Sequence, residues 1–228
     1  MQACRACGAG APLDAHVCPQ CRKILPLGRR APDYFAFLGL PRKLHVGAAD
    51  LEQRFRALSR QFHPDYFYNA TPAERRASLE RSSYLNDAYR TLKSPIARVE
   101  YLLGLEGLAT TTGGGAPSSE PKQIVPPALL EEVFALNEEL DEVRELRASG
   151  APADEWKGRL ERARQPIDAK RAAHEEQVQE LSARWDAFID AGANGAERSD
   201  ILNALRDRVL ERNYINNLLG GIERELHA

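Results

Sequence analysis

Apolar residues recur at helical period along most of the chain. Leu51, Phe55, Leu58 and Phe62 stand four, three and four residues apart, the single stripe of a helix packed on one face. Pro64 should close that helix, because it has no amide hydrogen to donate and biases His63 away from helical dihedrals. Thr71 and Pro72 then offer an N-cap and a proline at the first helical position, predicting a second helix to about Lys93. Further on the helical pattern lengthens. Leu129, Val133, Leu136, Leu140 and Val143 form a seam for a helix–helix interface, and Ser149-Gly150-Ala151-Pro152 breaks it. Trp156, Leu160, Ala163 and Ile167, continued by Val178, Leu181, Trp185 and Phe188, predict a long second helix that Pro166 should kink. Gly192 to Gly195 reads as a turn. A third helix from about Ala196 carries Ile201, Leu205, Val209, Ile215, Leu218 and Ile222. Three helices with short connections predict an antiparallel three-helix bundle, and the chain as a whole reads as mainly α.

Residues 109–127 separate the two helical regions. They are rich in Gly, Thr, Ser and Pro, with the run Thr110-Thr111-Thr112-Gly113-Gly114-Gly115, a composition that buries no core and predicts a flexible surface linker. The expected organisation is a metal-binding segment at 1–28, a basic connector at Arg29 and Arg30, a helical domain at 32–105, the linker at 109–127, and the bundle at 128–228. No internal repeat is visible.

The first segment owes its metal-binding reading to four cysteines, Cys4, Cys7, Cys18 and Cys21, spaced C-x2-C-x10-C-x2-C. Two close thiol pairs joined by a short ribbon can surround one ion tetrahedrally, which Zn²⁺ accepts without geometric strain. Gly8 supports a tight knuckle after the first pair; Arg22 holds the matching place after the second. So short a segment has little core of its own, and bound metal would supply its folding energy. Paired disulfides suit a reducing cytosol poorly, and a redox C-x-x-C lacks its βαβ setting here. Rubredoxin-like iron would need the same ligands. One structural zinc is the expectation. His16, between the pairs, is expected on the surface rather than among the ligands.

Composition changes the picture mainly by exclusion. The chain has 228 residues, 43% hydrophobic and 28% charged, with net charge -2 and a pI near 6.2. No global field would draw it to nucleic acid or an anionic membrane. No apolar run approaches the ~20 residues needed to span a bilayer, and the N-terminus lacks the apolar core of a signal peptide. A soluble, cytoplasmic protein of bacterial type is expected, although a processed organellar chain would look the same.

His63-Pro64-Asp65, at the head of the loop between the first two helices, resembles the trigger motif of the J-domain, the module that stimulates ATP hydrolysis by DnaK-type heat-shock chaperones. Asp33-Tyr34-Phe35 and Leu38-Gly39-Leu40 stand where that family has its short first helix. The run from Ser82 through Asn86, Ala88, Tyr89, Thr91, Leu92, Lys93, Pro95, Arg98 and Tyr101-Leu102-Leu103 is similar to one subfamily, the HscB (Jac) co-chaperones of iron–sulfur cluster assembly, in the form with an N-terminal four-cysteine ribbon.

The resemblance implies a non-enzymatic co-chaperone with two protein partners, a DnaK/HscA-type chaperone and an iron–sulfur cluster scaffold protein. Toward the chaperone it implies His63, Pro64 and Asp65, with a basic second-helix face of Arg54, Arg56 and Arg60. Toward the scaffold it implies Leu130, Phe134 and Glu138 of the bundle's first helix and Tyr214 of its last. By helical geometry Leu130 and Phe134 lie roughly 100–140° off the seam, which suits a partner patch but also a wide stripe that serves core packing against two neighbouring helices. Glu131 and Ala135 depart from an apolar and an acidic residue found in some relatives, and Glu52 and Gln61 from basic ones. No nucleophile, phosphate loop or carboxylate pair accompanies the histidine, so no catalytic residue is expected. The rival readings are a general J-domain co-chaperone with other clients, and a zinc-ribbon nucleic-acid adaptor. The ribbon's scarcity of basic and aromatic residues weighs against the second.

Overall fold

A computed structural model describes residues 1–28, 31–108, 130–193 and 195–227. The expected linker at 109–127, the Arg29-Arg30 pair and Leu129 lie outside the described residues. The protein is mainly α, with a tiny ribbon, a helical hairpin with short helices, and a three-helix bundle. Its contacts form two compact units. The first comprises Met1–Leu102 with Trp185–Ala193, the second Leu103–Arg184 with Asn194–Ala228.

In the first unit, strands β1 (Gln2–Ala3) and β2 (Gly10–Ala11) pair antiparallel, and Val17 and Ile24 make an isolated bridge. Helix α1 (Tyr34–Phe37) starts at Asp33, whose carboxylate accepts from the Ala36 amide at 3.0 Å. Helix α2 (Ala48–Phe62) ends where Pro64 requires, with His63 at ψ 127°. A 3₁₀ turn at Pro64–Phe67 leads to α3 (Pro72–Lys93). Thr71 caps α3 in a reciprocal box with Glu74, the stop-and-start chemistry that makes this loop short.

The stripe of α2 meets α3: Phe55 stacks on Tyr89 at 4.3 Å, and Phe62 is fully buried. The inward face of α3 carries Ala77, Ser78, Arg81, Leu85, Ala88 and Leu92. Gly39, at φ 66°, lies so near the Arg54 guanidinium that a Cβ there would meet it at 3.1 Å. Helix α4 (Pro95–Leu105) supplies buried Val99 and Leu102, and its buried Arg98 satisfies the Leu92 carbonyl at 2.7 Å and the Leu44 carbonyl.

A distant piece of chain completes this unit. Trp185, fully buried, donates its indole N–H to the Arg42 carbonyl at 2.8 Å. Asp186 accepts from the backbone amides of Leu44 (2.6 Å) and His45 (2.8 Å).

The second unit is the bundle of α5 (Leu130–Ala148), α6 (Ala153–Asp190, to Arg184) and α7 (Ala196–His227). Leu136, Leu140 and Val143 of the seam pack with Leu160, Ile167, Ile215, Leu219 and Ile222. Pairing of Arg159 with Glu139 and of His174 with the Arg208 carbonyl sets α6 antiparallel to both neighbours. Leu140 lies beside Gly221 and Arg144 pairs with Glu225, so α5 and α7 run parallel. Pro166 sits inside α6 on its exposed side, where the Arg162 carbonyl it leaves unpaired can turn to water.

Candidate functional site

Three places gather the residues singled out from the sequence. The first is the loop after α2. Its carbonyl anchor, Phe62 O, lies past the last helical donor because α2 ends before Pro64 and the Tyr66 amide turns to the His63 carbonyl, and two hydroxyls of α3 take over: Ser78 at 2.6 Å and Ser82 at 3.0 Å. Held there, the loop projects His63, Pro64 and Asp65, with His63 and Asp65 exposed. The Asp65 amide donates to His63 Nδ1 at 3.3 Å and the Tyr66 amide to the His63 carbonyl at 3.0 Å, a local frame needing no partner. Tyr66 and Tyr68 stand exposed beside it.

The three arginines differ in what they do. Arg54 is half-buried, its Nε–H shared between both carboxylate oxygens of Asp50 at 2.9 Å while Nη1 donates to the Leu38 and Gly39 carbonyls. Arg56 pairs with Glu52 at 2.5 Å, and Arg60 is exposed on the same helix. Glu52 thus balances the charge of Arg56.

The second place is the four-cysteine cluster. The sulfurs of Cys4, Cys7, Cys18 and Cys21 lie within 4.8 Å of one another, all as free thiols. Cys4–Cys21 is 3.7 Å and Cys7–Cys18 3.6 Å. A tetrahedron of thiolates about 2.3 Å from Zn²⁺ has edges of about 3.8 Å, so the donor set fits that ion. Both knuckles close alike, Gly8 N–H on the Cys4 carbonyl and Arg22 N–H on the Cys18 carbonyl. Arg22 takes the left-handed φ of 61° that Gly8 takes at 76°, at a cost of about 1 kcal/mol for its Cβ.

Amides aimed at sulfur favour thiolate. Those of Cys21 and Gln20 bring Cys18 down to about 6, and those of Ala6 and Cys7 lower Cys4. The Ala9 amide acts likewise on Cys7, but the shared hydrogen bond with Cys21 and burial win and push it up to about 12. Four thiolates this close repel one another; a cation is what would let all four ionise together.

His16 corrects its sequence reading. It is neither an exposed side chain nor a substitute ligand, but lies half-buried, its ring edge-on to Phe37 (4.8 Å) and Phe62 (5.1 Å). Burial, then the charge of Arg81, lower its pKa to about 4. The ring is therefore neutral near pH 7, with Nδ1 accepting from Arg81 (2.8 Å) and Nε2–H donating to the Phe37 carbonyl (3.1 Å). Arg81 itself went unnoticed in the sequence. Its signal was position: it falls on the buried face between Ala77 and Leu85, where an apolar residue is the norm.

The third place is on the bundle. Phe134 is 66% exposed and Leu130 39%, with Glu138 on the surface nearby and Tyr214 half-buried on α7. The parallel register of α5 and α7 brings the start of α5 level with residues 210–215 of α7, among them Tyr214 and Leu210, the latter 41% exposed.

The hairpin, its projecting His-Pro-Asp loop and the flanking short helices define the class: a J-domain fold carrying a bundle. No family model matches the chain. Among solved structures it is similar to the human co-chaperone protein HscB, at 25% identity and TM-score 0.66 over 97% of each chain. It is also similar to the chaperone HscB from Vibrio cholerae, at 28% identity and TM-score 0.58, over 84% of this chain and 96% of that one. The solved structures to which the chain is similar are thus HscB co-chaperones, matched along nearly its whole length, as the motifs after Ser82 implied.

Proposed function

We propose that the chain is a co-chaperone of iron–sulfur cluster assembly, without a catalytic centre of its own. In this reading the bundle binds a cluster scaffold protein through Leu130, Phe134, Glu138 and Tyr214. The loop His63-Pro64-Asp65, helped by Arg54, Arg56 and Arg60, engages a DnaK/HscA-type chaperone in the cytoplasm and stimulates its ATPase. Such a module works by binding one chaperone conformation better than another, so that the chaperone's own residues align on ATP. The observation that carries the reading is the similarity to HscB co-chaperones over nearly the full chain, with the His-Pro-Asp loop projecting. One structural Zn²⁺ held by Cys4, Cys7, Cys18 and Cys21 completes the proposal; its chemistry is to cross-link the two knuckles.

Among the described residues, no helix is long and apolar enough to cross a membrane. Single-turnover ATP hydrolysis by a DnaK-type chaperone, with and without scaffold, tests the reading. Wild type should accelerate turnover, and His63→Gln should abolish that effect while melting stays unchanged, because His63 is exposed. Equal stimulation by the variant would defeat the proposed role of the loop.

A further inference from the structure

Arg81 is 2% exposed, and its four hydrogen-bond acceptors all come from the ribbon. Nε donates to the Leu25 carbonyl at 2.6 Å, Nη2 to the Ala15 and Pro26 carbonyls at 3.2 and 3.4 Å, and Nη1 to His16 at 2.8 Å. No carboxylate is among these partners. A buried guanidinium is tolerable only while such acceptors are in place. They come from the two stretches of backbone that flank the Cys18–Cys21 knuckle, one before it and one after. The guanidinium carbon lies 5.6 Å from the Phe62 ring centroid, and His16 meets the same ring edge-on. Phe62 is the last residue of α2, its carbonyl pinned by Ser78 and Ser82, and the next residue is His63. A continuous set of contacts therefore runs from the knuckle through His16 and Arg81 to the root of the loop.

We propose that Arg81 and His16 are positioning residues for the His63-Pro64-Asp65 loop, and that they make its order depend on a closed four-cysteine ribbon. The acceptors converge on the guanidinium only when the knuckle holds its fold. Released, they leave Arg81 buried with unmatched donors. Arg81 must then move toward water, and Phe62 keeps Phe37 but loses two of the groups packed on its ring. The dependence runs both ways: an ordered loop root must in turn favour a metal-loaded ribbon, by the same factor. This deepens the proposed function, and rests on it only for the loop's meaning to a chaperone.

Amide hydrogen exchange on the full chain tests the coupling, comparing Zn²⁺-loaded protein with protein stripped by a chelator. The reporters are the Tyr66, Tyr68 and Ala70 amides, which donate to the carbonyls of His63, Asp65 and Phe67. Stripping should speed their exchange about tenfold while α5 and α7 keep theirs. In Arg81→Met the loop should exchange fast whether or not metal is bound, and Zn²⁺, titrated against a chelating dye, should bind about tenfold more weakly. Because Arg81→Met disturbs a buried site, His16→Gln serves as a second variant. It keeps a donor for Phe37 and an acceptor for Arg81 but no ring against Phe62, and should loosen the loop with Zn²⁺ still bound. Loop exchange indifferent to stripping would overturn the coupling, as would a uniform rise through the whole first unit, which reports unfolding instead. Failure of the wild type to stimulate a chaperone would sink the proposed function and leave this exchange result standing.

Discussion

Phe134→Ala separates partner binding from stability because the chain buries so little of that ring. A phenylalanine side chain offers about 200 Å². With the residue 66% exposed, some 70 Å² is packed against the bundle and about 130 Å² faces outward. At ~25 cal/mol per Å², the packed third contributes about 1.7 kcal/mol, of which alanine's better helix propensity returns about 0.5. The variant should therefore lose little more than about 1 kcal/mol in urea denaturation. If a scaffold protein covers the outward part, about 3 kcal/mol of binding disappears, roughly a 150-fold rise in Kd by calorimetric titration. Leu140→Ala is the contrast: at 7% exposure it should cost 2–5 kcal/mol of stability, a typical core range of about that size. Should Phe134→Ala melt like Leu140→Ala, the ring belongs to the core. Should it melt like wild type and bind scaffold equally well, this patch is not the docking surface.

Metal analysis should find one Zn²⁺ per chain, and Cys7→Ser should lower its occupancy and open residues 1–28 to protease; metal-free protein from gently lysed cells would remove the zinc assignment. Asp186→Ala strips the acceptor from the Leu44 and His45 amides and should cost about 2 kcal/mol by thermal melting, an effect that Asp186→Asn partly restores. The Thr71 hydroxyl and amide, ahead of Lys23, hold Glu74 below the ordinary carboxylate range. Its contribution is thus present above the unfolded-chain pKa near 4.5 and lost as pH falls through the lower folded value; Glu74→Gln should flatten the stability–pH curve in that acid window, and an unchanged slope would refute the capping box's role.

Local rules made much of this molecule legible in the sequence. Pro64 ended α2 and Thr71-Pro72 began α3 at the positions observed, because proline sterics and capping act within a few residues. The thiols converge because two C-x2-C pairs on a short ribbon have few other places to go. What escaped notice depends on long-range packing. Arg81 looks like any surface arginine of a charged helix until the ribbon brings three carbonyls to it, and His16 looks exposed until Phe37 and Phe62 close on its ring. Trp185 and Phe188 continued the bundle's apolar stripe in sequence, yet their partners lie in the first unit; periodicity tells which residues are buried, never against what.

The tail of α6 carries a consequence for how the protein is made. The first unit is not contiguous in the chain: its last stretch, Trp185–Ala193, is synthesised some ninety residues after Leu102. At roughly 5–20 residues per second the ribosome needs about 5–20 s to deliver it. Throughout that interval the nascent hairpin presents the Leu44 and His45 amides and the Arg42 carbonyl without the side chains that later satisfy them. A fragment cut after residue 108 would stay in that unfinished state. The His-Pro-Asp loop emerges early, but the unit that carries it is completed only when the bundle's long helix has been translated to its end.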